Sequence, residues 1–460
     1  MPYEGQRASK ISHTTFFKEE LEKFLSHCNY LKTLTDEEHS IVASHKVHIE
    51  PSQISRDWMW ASDGSRYIAS VYDGAPTTRV GYLKVSQIGF PFEDYKNLMP
   101  KNSRHVDPIS VAKLKDAISS IVWMLPGSNI KYKSADSAYE GFRLRLHELF
   151  LSTKINESSK SLYSTLFLLR KNSKKNKCDT ENHLFIKECP QCHHKHEGDG
   201  ICFKTTDDGL PCNHCGKYMY ASDVLGLHLD FEEHGANESL FTRVMSVLEV
   251  MLLAQRLSDK SEEDKLSKSI FFYDGLLSLY GDCSWVCHGL LDLYHKVRRE
   301  FVFKSMGVPI IVGIAKTGQL MKHAEVIMKN LSVNDIVPIS LNYRRIVLKQ
   351  GVDDPRHSFF SGRWGQEFVW KTEQGKPVVI SIPFWTGDFE ANRETIHKVE
   401  NYPELAEVIG VLAGMDCALY PSAFVPIVMA HEEASISWEP GGRLLTQATK
   451  RALGAGNGAD

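Results

Sequence analysis

The apolar positions of this chain switch between two periods. In TTFFKEELEKFLSHCNYL they fall at helical spacing (Phe17, Leu21, Phe24, Leu25), which predicts an opening helix. The next stretch, WMWASDGSRYIASVYDGAPTTRVGYLKVSQIGF, is rich in aromatic and β-branched residues and predicts consecutive strands. Helical patterns are read from about 109 to 170, in ISVAKLKDAISSIVWML, SAYEGFRLRLHELFLS and SKSLYSTLFLLR. A basic polar run, RKNSKKNK, then leads into a cysteine-rich segment over about 178–230. Beyond it ESLFTRVMSVLEVMLLAQRL predicts a long helix, and SDKSEEDKLSK a charged loop.

The remainder alternates. SIFFYDG reads as a strand, SWVCHGLLDLYHKVRREFVFKSM as a helix, VPIIVGIAK as a strand and GQLMKHAEVIMKN as a helix. Short apolar strands alternating with helices predict an α/β sheet. FFSGRWGQEFVWK and PVVISIPF look antiparallel, so the sheet is expected to be mixed. Helices around PELAEVIGVLAGM and FVPIVMAHEEASIS close the fold, and the tail ALGAGNGAD is expected to be disordered. No internal repeat is visible.

Composition narrows the class. The chain has 460 residues, 42% hydrophobic and 24% charged, which is ordinary for a globular protein. A formal net charge of -3 gives no support for a broad nucleic-acid-binding surface, so any such binding needs a local basic groove. RKNSKKNK is either a solvated loop or such a local contact. No apolar run approaches the ~18 residues of a membrane span, and the stretch MPYEGQRASK has no apolar signal core. Ten cysteines in so long a chain do not make a disulfide scaffold. Four of them form two pairs, which suggests metal in a reducing compartment and a cytoplasmic protein.

Those pairs are CPQC, with Cys189 and Cys192, and CNHCG, with Cys212 and Cys215, nineteen residues apart. Each Cys-x-x-Cys turn presents two thiolates on one side of a knuckle, and two knuckles make a tetrahedral sulfur site that suits structural zinc. His193, His194, His196 and His214 could replace a cysteine, but a full sulfur set makes that unnecessary. Asp282, Cys283, Cys287 and His288 also cluster in sequence but lack a second convincing ligand pair and are read as structural.

Carboxylates supply the other chemistry. Asp63-Gly64-Ser65 interrupts an apolar run, and Asp274-Gly275 follows Phe271-Phe272-Tyr273. Asp-Gly is a strong hairpin signal, yet two carboxylates at strand ends could also hold a divalent cation. Asp73-Gly74 is an internal control: it sits between two strand patterns, as a hairpin turn should, which leaves Asp63 as the candidate site. Glu249 lies among Val247, Leu248, Val250, Met251, Leu252 and Leu253. There it must be paired, protonated or metal-bound, unless it points outward. Glu238 is a rival, but it lies at the helix start, where an acid suits the dipole.

The order of these features resembles the NurA family of nucleases, whose pattern is an early Asp-Gly-Ser, a helical glutamate, a second Asp-Gly and a late Ala-His, here Ala430-His431. The resemblance covers about 55–435 apart from the middle. It implies an α/β fold with an RNase H-like mixed-sheet core, into which the helical stretch and the zinc-ribbon module read above would be inserted, and a manganese- or magnesium-dependent DNA nuclease. It also implies a homodimer working beside a HerA-type hexameric ATPase, in DNA repair or antiviral defence. Carried over, Asp63, Glu249 and Asp274 match the metal-binding carboxylates, His431 the late histidine and Lys316 a basic residue. Two departures stand out: Ser422 to Val425 intervene before Pro426 where the family runs Tyr-Pro directly into the Ala-His helix, and the cysteine module is not a general family feature.

The domain division that follows is 1–50 N-terminal helical segment, 51–108 first part of the nuclease core, 109–177 helical insertion, 178–230 zinc module, 231–440 second part of the core and 441–460 flexible tail. The alternative to an enzyme is a non-catalytic DNA-binding adaptor of the ATPase built on the same scaffold. An adaptor has no need for Asp63, Glu249 and Asp274 together.

Overall fold

The computed structural model describes residues 21–28, 41, 44–72, 74–98, 118–155, 160–172, 183–198, 200–350, 359–389, 391–415, 424–436 and 441–454. Phe17, Asp73 and the last six residues of the tail lie outside these. Of the opening helix, residues 21–25 are described and helical, with Leu21 and Phe24 exposed.

A nine-stranded sheet runs through the molecule. Its strands are β1 (Val47–His48), β2 (Trp58–Ser70), β3 (Arg79–Pro91), β4 (Ile118–Pro126), β9 (Ser269–Asp274), β10 (Ile310–Ala315), β11 (Asp335–Pro338), β12 (Gly365–Lys371) and β13 (Pro377–Pro383). Their order is β1-β11-β12-β13-β10-β9-β2-β3-β4. Only β2–β9 and β9–β10 pair in parallel; all other neighbours are antiparallel. The sheet is therefore mixed, as the antiparallel look of FFSGRWGQEFVWK and PVVISIPF predicts, and those two strands do pair antiparallel.

Strand alternation gives the sheet two apolar faces. Trp60, Leu83, Trp123, Phe271 and Tyr273 point to one, where they pack with helices Ala138–Ser152, Leu162–Asn172, Glu238–Ser258 and Trp285–Phe303. Met59, Ala61, Ile270, Phe272, Val312 and Ile380 point to the other, under helices Leu405–Ala413 and Val425–Ala434. The sequence pattern is mistaken at two elements. SDKSEEDKLSK, expected as a charged loop, carries a 3-10 turn (Lys260–Glu262) and a short helix (Glu263–Ser267). The second lies at the edge of the sheet. Helix is expected through SSIVWML, yet Ile118–Pro126 is the edge strand β4, with Val122 and Met124 exposed between buried Ile121, Trp123 and Leu125. An unbroken apolar run has no period of its own, and burial on one side decides it.

The cysteine segment carries four short strands: β5 (Leu184–Ile186) pairs with β6 (Ile201–Phe203), and β7 (Leu210–Pro211) with β8 (Tyr218–Met219). It is not detached from the rest. Leu184, Cys189, Phe203, Cys212 and Met219 belong to the same apolar cluster as the four helices over the sheet. A buried, bidentate pair fastens it: Arg143 donates to both carboxylate oxygens of Asp223, at 2.9 and 2.6 Å, and to Tyr218 O at 3.1 Å.

Candidate functional site

The site lies at a step in the sheet. β2 and β9 pair in parallel from Trp58↔Ser269 to Ser62↔Tyr273. β9 stops one residue later, at Asp274, while β2 continues to Ser70 bonded to β3. Asp63 and Asp274 each follow the last paired residue, so they sit side by side where the sheet narrows. Neither Asp-Gly pair makes a two-residue hairpin. Asp63-Gly64 is in mid-strand, a correction to its reading as a strand end. Gly275 takes φ +109° and donates its N–H to Ile314 O at 2.8 Å, which turns the chain sharply off the strand. A Cβ on Gly313 would lie 2.5 Å from Gly275 O, so a glycine below lets the turning chain cross β10 directly.

Asp63 is 7% exposed. Its Oδ2 is 2.7 Å from His431 Nδ1, and its Oδ1 accepts from Gly64 N at 2.7 Å. Burial raises its carboxyl above the ordinary range and the Asp274 charge adds to this, while His431 and Gly64 pull it down. Asp274 Oδ2 lies 3.0 Å from Nζ of Lys316, which follows the end of β10. Glu249 comes from the helix on the other face of the sheet and is buried, not outward-pointing. Its carboxyl is pushed up to about 8, mainly by burial and then by the charge of Asp63, with Asp274 adding a smaller push against the hydrogen bond from Tyr273.

Gly64 explains how residues from opposite faces meet. A Cβ there would stand 2.5 Å from Met245 Cγ and 2.9 Å from Glu249 Oε1. The bare backbone leaves room for the glutamate at the strand edge that β9 has vacated. Asp63, Glu249, Asp274, Lys316 and His431 thus come to one place. Glu238 does not join them; it is the first residue of its helix and pairs loosely with Arg66 at 3.8 Å.

Three carboxylates gathered against one lysine leave an excess of negative charge, and their hard oxygens suit Mg²⁺ or Mn²⁺. The carboxylate oxygens are not drawn together around one point: among the described residues, only the four cysteines bring three or more possible ligand atoms all within 4.8 Å of one another. The raised carboxyls of Glu249 and Asp63 fit a site whose mutual repulsion a cation would relieve.

The sulfur site is tight. Cys189 Sγ and Cys215 Sγ are 3.8 Å apart, and Cys192 Sγ and Cys212 Sγ 3.9 Å. Tetrahedral Zn–S bonds of about 2.3 Å require S···S separations of about 3.8 Å. The knuckles are alike: His193 N donates to Cys189 O at 3.0 Å, and Gly216 N to Cys212 O at 2.9 Å. Both His193 and Gly216 have positive φ, at +57° and +73°. The four thiolates fit zinc without a histidine. Cys283 and Cys287 are buried, with the Cys283 thiol pushed up to about 12 by burial, and His288 Nε2 is 3.1 Å from Phe360 O. They sit in the core, as the structural reading expects.

Sequence reasoning missed the neighbours that hold the site. Ser65 and Lys84 grip the helix carrying His431. Ser65 had a signal, since it lies two residues from Asp63 in a strand and so shares its face. Glu433, two residues beyond His431, pairs with Lys84 at 3.6 Å, whereas Glu432 is exposed.

No protein-family model matches the chain, and no curated protein matches it in sequence. Among solved structures the chain is similar to the NurA nuclease from Sulfolobus solfataricus, at 10% identity over 99% of this chain and 100% of that one, with a TM-score of 0.38. It is similar to a NurA with manganese at 11% identity, over 97% of this chain and 98% of that one, TM-score 0.28. A NurA bound to dAMP and manganese gives 11% identity, 97% of both chains and TM-score 0.27. At such identity and score the likeness by itself carries no activity across. No helix among the described residues is long and apolar enough to cross a membrane.

Proposed function

We propose that this chain is a divalent-metal-dependent DNA nuclease of the NurA type. The observation that carries the reading is the convergence of Asp63, Glu249 and Asp274 at the step in the sheet, with Lys316 and His431 beside them. The strand order β4-β3-β2-β9-β10, an antiparallel meander followed by two parallel strands, supports an RNase H-like core beneath it.

Asp63, Glu249 and Asp274 would hold Mn²⁺ or Mg²⁺, which when bound supplies a Lewis acid and a source of hydroxide near neutral pH. Lys316, partly exposed and held by Asp274, offers a point charge to a phosphate oxygen. His431 uses Nδ1 on Asp63, which leaves Nε2 to exchange a proton with water or with the leaving oxygen. Burial favours the neutral form of Glu249, and a cation held beside it would favour the charged form. Cys189, Cys192, Cys212 and Cys215 would hold Zn²⁺ in a closed, structural site.

The net charge of -3 gives the chain little broad hold on duplex DNA. A partner that delivers strands suits such an enzyme, and we assign that part to a HerA-type hexameric ATPase, with the nuclease acting as a homodimer in the cytoplasm, in DNA repair or antiviral defence. The test is cleavage of end-labelled single- and double-stranded DNA with manganese, comparing wild type with Asp63→Ala and Asp274→Ala. Manganese-dependent cutting lost in both variants is the expected result. Cutting that survives either substitution removes the assigned site. A wild-type chain that binds DNA and the ATPase but cuts nothing points to the adaptor instead.

A further inference from the structure

His431 stands on the last turn of helix Val425–Ala434. Its side chain is 61% exposed, so surrounding side chains do not wedge the ring in place. What orders it is the bond to Asp63 and the position of the helix end itself. The last carbonyls of a helix have no partner within it. Here two of them are taken by the sheet. Ser65 Oγ donates to Ala434 O at 2.7 Å and accepts from Ile436 N at 2.9 Å, so one hydroxyl grips the chain on both sides of the helix end. Lys84 Nζ donates to Glu433 O and lies 3.6 Å from Glu433 Oε1.

Ser65 and Lys84 are direct partners across β2 and β3. Ser65 shares a face with Asp63 because two residues complete one strand period. The same face of the same strand therefore supplies both the carboxylate that meets the histidine and the hydroxyl that fixes its helix. Small buried residues, Ala430 and Ala434, allow the helix to lie close on the strands. The ammonium of Lys84 also meets the negative end of the helix dipole.

We propose that Ser65 and Lys84 are positioning residues, a clasp that holds the end of helix Val425–Ala434 on β2 and β3 and so fixes His431 against Asp63. Its catalytic consequence rests on the nuclease reading; the clasp itself does not. Without it the last turn frays, the ring samples orientations away from Asp63, and proton exchange at Nε2 loses its geometry. Misplacement of a group by about 1 Å can cost about 100-fold in rate.

The test uses the full chain with manganese and pairs kinetics with amide hydrogen exchange. Ser65→Ala and Lys84→Met should each lower kcat on a DNA substrate by ~10- to 100-fold, with KM and manganese affinity changed less than about twofold. The amides of Ser435 and Ile436 should exchange faster in both, while those of β2 and β9 stay protected. Ser65→Thr, which keeps the hydroxyl, should recover most of kcat and of the protection. Wild-type kcat in Ser65→Ala and Lys84→Met, despite fast exchange at 435–436, overturns the proposal, as does unchanged exchange. If the wild-type chain cuts no DNA, the nuclease reading fails and exchange alone judges the clasp: protection lost in Ser65→Ala and regained in Ser65→Thr supports it, and protection unchanged in Ser65→Ala sinks it.

Discussion

A side chain on Gly64 would strike Glu249: its Cβ would lie 2.9 Å from the glutamate Oε1 and 2.5 Å from Met245 Cγ. The glycine belongs to β2, and the glutamate to a helix on one face of the sheet, while Asp63 turns to the other face. Gly64→Ala should therefore displace the glutamate carboxylate and lower manganese affinity by tenfold or more, read by titration calorimetry. Overpacking itself costs about 1–3 kcal/mol of stability. Gly64→Ala with Met245→Ala separates the two effects. The second change should restore stability in urea but not manganese affinity, and recovery of both would show that Glu249 is not a ligand.

The raised carboxyl of Glu249 makes stability depend on pH in an unusual direction. Its ordinary value is 4.5 and its folded value about 8. Between these the native state holds a proton that the unfolded chain has released, so native protein binds more protons and its stability falls as pH rises through that window. Asp63, also raised, acts in the same direction. Urea unfolding without added manganese should show this loss from about pH 5 to 8, and Glu249→Gln should flatten it. Manganese competes with the proton, so the rise in Tm on its addition should be larger at pH 8 than at pH 5.5. A rise independent of pH would count against the cation sharing this carboxylate.

Much of this site was legible because its chemistry breaks local rules. A glutamate between Leu248 and Val250 and an aspartate inside an apolar strand are conspicuous in a sequence. The cysteine spacing states its own geometry. What the sequence hid is relational. Nothing local says that β9 ends one residue past Tyr273 while β2 runs on to Ser70, and that mismatch brings Asp63 beside Asp274. Lys84 looks like any strand lysine until β3 pairs it with Ser65. The strand Ile118–Pro126 was hidden because SSIVWMLP satisfies either period.

The Arg143–Asp223 pair should be costly to break and cheap to replace. Both side chains are almost wholly buried, and the Arg143 guanidinium with the other hydrogen bonds holds the Asp223 carboxyl below its ordinary range despite burial. Arg143→Met leaves that carboxylate without its cation, and removing one partner of such a pair costs about 3–5 kcal/mol. Arg143→Met with Asp223→Leu removes both charges and should regain a large part of the loss. Thermal unfolding of the three proteins checks this. A double variant as unstable as the sum of the two single ones would mean that the bond to Tyr218 O, not the charge pair, fastens the cysteine segment.

Zinc removal should reach beyond the knuckles. Cys189 and Cys212 are 0% and 2% exposed and share an apolar cluster with the helices over the sheet, including the one that bears Glu249. A metal that is bound only in the folded state contributes its binding energy to folding. Elemental analysis of protein purified without chelator should give one zinc per chain, and Cys212→Ser should lower it well below one. Four thiolates without their cation would be left crowded at 3.8 and 3.9 Å, so the knuckles should open. Because α-helical and knuckle residues share one core, Tm should fall for the whole chain in a single transition, by ~5 °C or more. The measurement that decides is calorimetry beside hydrogen exchange. A separate low-temperature transition, with amides of helix Glu238–Ser258 still protected, would show instead that the cysteine segment folds as an independent unit whose zinc does nothing for the carboxylate site.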